Sequence, residues 1–205
     1  MEFGTDFTTL ALTLISVIAA LSIHEAMHAY VGHKLGDDTA LEHGRVSFNP
    51  IKHIDPITTV LMPIVTLFLF GVPILAAKPV PFNPTRVKWG EYGAALIGIA
   101  GPVSNILMAI VAAVLVRLIG TVGFATNALT LFAAINVGIF VFNMVPIPPL
   151  DGARLLYAFA PEPIQEFMAR METLGLFIVF ALVIMFQPFS TLLININTAI
   201  LRFLL

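Results

Sequence analysis

Five long stretches of the chain, 7–23, 57–77, 92–116, 118–150 and 173–201, contain no Lys, Arg, Asp or Glu. A membrane-spanning helix needs ~20 mostly apolar residues, so runs of this kind leave few options besides a bilayer. Composition agrees: the chain is 59% hydrophobic and 11% charged, against about 25% charged in a soluble domain, and its mean hydropathy is +0.98. The first, third and fourth runs each read as one transmembrane helix. The last, with Pro188 in its middle, reads as a helix to Gln187 followed by a short helix from Pro188 to Leu205. The expected fold class is an all-α polytopic membrane protein with about five to six transmembrane helices. It is expected to form a single membrane-embedded domain over 1–205, with its core at about 7–155 and C-terminal helices at about 161–205.

The run 57–77 is interrupted by Pro63, Gly71 and Pro73, and charge asymmetry discriminates between its possible paths. If it crosses fully, Lys34, Arg45, Lys52 and Arg117 lie on one side, with Lys78, Arg86, Lys88, Arg154 and Arg170 on the other; four against five is no bias. If it dips in and returns, eight of these residues share one face and only Arg117 opposes them. The second pattern is the positive-inside signature, so a re-entrant segment is expected. Such a backbone is tolerated at membrane depth only where it is buried in protein or lines a wet cavity.

The first run continues through His24-Glu25-Ala26-Met27-His28. Residues i and i+4 of a helix share a face, so both imidazoles can reach one metal ion. Glu25 projects about 100° away, placed to hold a water rather than to ligate. With five His and seven Glu in the chain, roughly 0.004 chance occurrences of this pattern are expected. The bland alternative is a pair of histidines packed in a polar helix seam.

A second polar cluster closes the fourth run: Asn143-Met144-Val145-Pro146-Ile147-Pro148-Pro149-Leu150-Asp151-Gly152. The prolines cannot continue a helix, so the helix must open here. An unpaired carboxylate near the apolar edge is costly, ~2.5–3.5 kcal/mol at a helix centre, so Asp151 needs a partner. Arg154 is the simple candidate, and a metal is the other. Gly152 is read as freedom to aim the carboxylate. Two neutral imidazoles with one carboxylate form a recognised catalytic zinc set that leaves a fourth position for water. The re-entrant path would bring His24, His28 and Asp151 to the same face of the membrane.

The remaining polar residues divide. Val46-Ser47-Phe48 and Lys78-Pro79-Val80-Pro81-Phe82 read as short strands or extended edges in the connectors. His33 and His43 read as solvated loop histidines, and His53 as a candidate auxiliary group where the chain re-enters the membrane. Ala100-Gly101-Pro102-Val103-Ser104-Asn105 suggests a helix break with an amide at membrane depth, and Asn105 and Asn136 read as hydrogen-bonding groups across the bundle. With no Cys, disulfides and thiolate ligands are excluded. A net charge of −2 without a basic block argues against nucleic-acid binding. Glu2 and Asp6 with no basic n-region argue against a cleaved signal peptide, and Met1–Thr5 has the look of an appended leader.

The paired motifs resemble those of the site-2 protease family of intramembrane zinc metalloproteases. His24-Glu25-x-x-His28 is similar to the family's first motif, Asn143-x-x-Pro146-x-Pro148-x-Leu150-Asp151-Gly152 to its second, and Ala100-Gly101-Pro102 with Asn105 to a further element. The resemblance covers roughly 10–155. It implies one zinc ion on His24, His28 and Asp151, catalysis by Glu25, and a substrate- or transition-state-positioning role for Asn143. It also implies a multi-pass location in the cell membrane and single-span helices as substrates, while the Lys/Arg count is what points the site toward the cytoplasmic face. There is room for neither a PDZ nor a CBS domain, which is the compact prokaryotic type. The rivals are a metal or ion transporter, which has no use for a Glu beside the first His, and a catalytically idle membrane scaffold.

Overall fold

The computed structural model describes residues 7–53, 80–120 and 123–205. Among them the regular structure is helical: α1 (Phe7–Lys34), α2 (Thr39–Glu42), α3 (Gly90–Ile119), α4 (Phe124–Asn143), α5 (Asp151–Phe159), α6 (Glu162–Met185) and α7 (Gln187–Leu204), with 3-10 turns at Pro50–Lys52 and Pro84–Arg86. Three of these helices, α1, α3 and α4, are long and apolar enough to cross a membrane, and α6, bent by 81°, would make four if counted as one span. This is a multi-pass membrane protein. The expected re-entrant run 57–77 lies outside the described residues.

Helix α3 is the hub, packing against α1, α4, α5 and α7. Its buried face is built from small residues, among them Ala94, Gly98, Gly101, Ala109, Ala112 and Ala113. Small residues let helix backbones approach closely, which is how helices associate where lipid supplies no hydrophobic drive. Ala109 and Ala112 meet Ala133, Val137 and Val141 of α4 in one core cluster. The opposite side of α3 presents Leu107, Val111, Val114 and Leu118 outward, suited to hydrocarbon rather than water.

Two expectations from the sequence are corrected. Helix α3 runs unbroken through Pro102: proline costs a helix its N–H bond and crowds the carbonyl one turn back, yet it is tolerated where neighbouring helices pack around it. The fourth run holds one helix of membrane-spanning length, as expected, with α4 beginning at Phe124 after Gly120 and Gly123, both at positive φ. Neither Val46–Phe48 nor residues 80–82 form a strand. Side chains hold these connectors instead: His53 Nε2 lies 2.6 Å from Ser47 O, and the Asn83 N–H donates to Asp37 Oδ2 at 2.7 Å. The break after Asn143 falls where the prolines require it, and the last run divides at Phe186 as expected.

Asp37 is the staple of this face. Its carboxylate accepts from the Thr39 N–H and hydroxyl and from the Asn83 N–H, tying the end of α1 to the chain that enters α3. Burial opposes the charge, but these hydrogen bonds and the nearby Arg86 outweigh it and hold the carboxyl below its ordinary pKa.

Candidate metal centre

His24 and His28 stand on the buried face of α1, 3% and 8% exposed, with their rings edge to face at 4.6 Å. Asp151 opens α5, directly after the proline-rich turn. The three converge: His24 Nε2 is 3.0 Å from Asp151 Oδ2, His28 Nε2 is 3.3 Å from the same oxygen, and the two Nε2 atoms are 3.0 Å apart. Ligand atoms ~2.0–2.1 Å from a tetrahedral zinc lie about 3.3 Å from one another, so the three atoms trace one face of such a site. Arg154, the rival partner for Asp151, instead lies 4.4 Å over the Phe82 ring.

The far nitrogens determine what faces the centre. His24 Nδ1 donates to Asn105 Oδ1 at 2.6 Å, and His28 Nδ1 donates to Ile97 O at 2.7 Å. With protons held there, both neutral rings turn bare Nε2 lone pairs toward Asp151. Two lone pairs and a carboxylate oxygen at these separations repel unless a cation or proton lies among them. The donor set, all nitrogen and oxygen, suits zinc.

The Asn105 contact is anchored in turn. Asn105 Nδ2 donates to Asn136 Oδ1 at 2.9 Å and to Ala20 O at 3.4 Å, and Asn136 Nδ2 donates to Phe132 O at 2.9 Å. Both amides are 0% exposed. A chain of carboxamides from α4 through α3 thus orients His24. From the sequence these asparagines read as hydrogen-bonding groups across the bundle, Asn105 also as part of a motif; which side chains they meet was not legible there.

Glycine makes the approach possible. A Cβ at Gly101 would stand 2.4 Å from His28 Nε2 and 2.6 Å from His24 Nε2, on the very atoms that face the centre. At Gly152 a Cβ would stand 2.4 Å from Met144 O. Gly152 has no positive φ, so its role is close packing of α5 beneath the end of α4, rather than the backbone freedom expected from sequence.

The other expected residues are placed as follows. Glu25 has no hydrogen-bond or ion-pair partner among the described residues, and it lies within electrostatic reach of His28, His24, Asp151 and His53. Asn143 ends α4 with Nδ2 donating to Ile139 O at 3.1 Å, and no hydrogen bond joins it to the three converging residues. His33 pairs with Asp38 and His43 with Thr39 O on the exposed surface; His33 sits in the last turn of α1 rather than in a loop. His53 is buried.

The family model for peptidase family M50 matches residues 117–186. The chain is 36% identical over 187 residues to the protein named "Putative zinc metalloprotease YwhC" of Bacillus subtilis, covering 87% of this chain and 81% of that one. It is 25% identical over 170 residues to "Putative zinc metalloprotease Rip2" of Mycolicibacterium smegmatis, covering 82% of this chain and 64% of that one. To the protein of the same name from Mycobacterium tuberculosis strain H37Rv it is 26% identical over 178 residues, covering 83% and 65%. No solved structure matches. The chain belongs to peptidase family M50, the site-2 protease family of intramembrane zinc metalloproteases.

Proposed function

We propose that this single membrane-embedded domain hydrolyses peptide bonds of single-span membrane proteins, with one zinc ion held by His24, His28 and Asp151. The observation that carries this reading is the convergence of three ligand atoms at 3.0–3.3 Å, with both imidazoles tied from behind. A zinc ion held by these three residues would supply the Lewis acidity that activates a water and polarises the scissile carbonyl. Glu25, adjacent to the first ligand and unpaired among the described residues, takes the proton of the attacking water and returns it to the leaving amine. Asn143 fixes its amide on Ile139 O, and the second N–H of Nδ2 remains to donate to the developing oxyanion or to a substrate carbonyl.

The substrate helix unwinds before cleavage, because its own hydrogen bonds shield its carbonyls. The non-helical segments 46–48 and 80–82 lie in the connectors that flank the site, where an extended peptide can pair with backbone. A bundle of five to six spans with its site at the cytoplasmic face of the cell membrane is the arrangement that the Lys/Arg asymmetry supports. Glu25→Gln retains zinc and loses cleavage of a single-span substrate. A Glu25→Gln protein that cleaves at the native rate refutes the mechanism.

A further inference from the structure

One buried polar atom near the centre has no role in the reading above. His53 follows the 3-10 turn Pro50–Lys52 and is 2% exposed. Its Nε2 lies 2.6 Å from Ser47 O. A carbonyl only accepts, so Nε2 carries a proton and donates, and the neutral ring keeps a lone pair on Nδ1. That Nδ1 is buried and has no hydrogen-bond partner among the described residues. Native structures rarely leave such an acceptor bare, and each exception calls for a reason, a functional role among them.

The surroundings indicate what that partner is. The 3-10 turn packs against α1, and the His53 ring lies within electrostatic reach of Glu25. The imidazole therefore stands on a third element, on the side of the proposed base. The groups already there, the Glu25 carboxylate, the Asp151 carboxylate and two Nε2 lone pairs, are acceptors like Nδ1 itself and offer it no proton. An unwound peptide does: each of its residues presents an N–H released from its own helix. We propose that His53 is a substrate-binding residue whose Nδ1 accepts a hydrogen bond from a backbone N–H of the unwound strand beside the scissile bond. This rests on the peptidase reading and adds a fixed point of backbone recognition to it. The Ser47 carbonyl sets the tautomer that makes Nδ1 an acceptor.

Two substitutions separate this role from a structural one. Glutamine at 53 reaches Ser47 O with its terminal amide, as Nε2 does, but places no acceptor at Nδ1. Asparagine puts a carboxamide oxygen near the Nδ1 position and gives up the Ser47 contact. A single-span peptide cleaved by the native protein is the probe. In the purified full chain, His53→Gln keeps native zinc content and melting temperature, and kcat/KM falls about tenfold through KM. In a Glu25→Gln background the same change weakens peptide binding by a similar factor, a readout independent of hydrolysis. His53→Asn recovers part of the affinity while melting lower. Native peptide affinity and kcat/KM in His53→Gln overturn the proposal, and so does loss of zinc in that variant. If the native chain cleaves no single-span peptide, the peptidase reading falls first.

Discussion

Replacing Gly101 with alanine should separate folding from metal binding. The added Cβ would sit 2.4 Å from His28 Nε2 and 2.6 Å from His24 Nε2, whereas ordinary contact begins at 3.4 Å. The shortfall is about 1 Å, and close-packed interiors absorb little of such an insertion. Two opposing effects act on the fold. Alanine in a helix interior is favoured over glycine by ~0.8–1.0 kcal/mol, and overpacking costs ~1–3 kcal/mol, so a net loss of about 1 kcal/mol leaves the helices assembled. The metal centre has no such margin, since ligand distances must hold to ~0.2 Å. Moving two of three ligands by several times that amount should weaken zinc binding by at least about 100-fold, more than the ~10–100-fold typical of losing an outer partner. The assay is competitive zinc titration of the detergent-purified protein, with circular dichroism to confirm helix content. Gly32→Ala is the control: its Cβ would meet only Ile97 Cδ1 at 3.7 Å and Asp37 O at 4.0 Å, so zinc affinity should stay native. Native zinc affinity in Gly101→Ala would refute the placement of these lone pairs around a common ion.

The carboxamide chain and the Asp37 staple yield two more expectations. Asn105→Ala frees His24 Nδ1 and should reduce zinc affinity ~10–100-fold. Asn136→Ala, one link further back, should act in the same direction and less strongly, and equal native affinities in both variants would remove Asn105 from the site. For Asp37, whose folded pKa lies below its ordinary value, the contribution to stability is complete above the ordinary carboxylate pKa. It is lost as pH falls through the lowered, folded value. Thermal melts of the native protein and Asp37→Asn should therefore differ at neutral pH and converge under acid; a difference that stays constant with pH would assign the effect to shape rather than charge.

Much of this site is visible in the chain because its parts are local. The His24-x-x-x-His28 spacing lies within one helix, where periodicity alone puts both rings on one face. The prolines after Asn143 announce the break that frees Asp151, and the uncharged runs announce the bilayer. Contacts between elements are different in kind, since spacing says nothing about which neighbour a face meets. Asn105 could have bonded any helix in the bundle; close packing of α3 on α1 brought it to His24. Gly101 and Pro102 read as a break, yet the helix continues, and the glycine serves to clear space for two imidazoles. Extended segments read as strands are held by Asp37 and His53 instead, because a polar side chain at the right place satisfies a backbone group as well as a neighbouring strand does. The sequence by itself determined the solvent this protein lives in, the metal-binding residue types and the two motifs that carry them. Only the tertiary structure decided their tautomers, their outer partners and the clearance around them, because those depend on helices approaching to within a methyl group of each other.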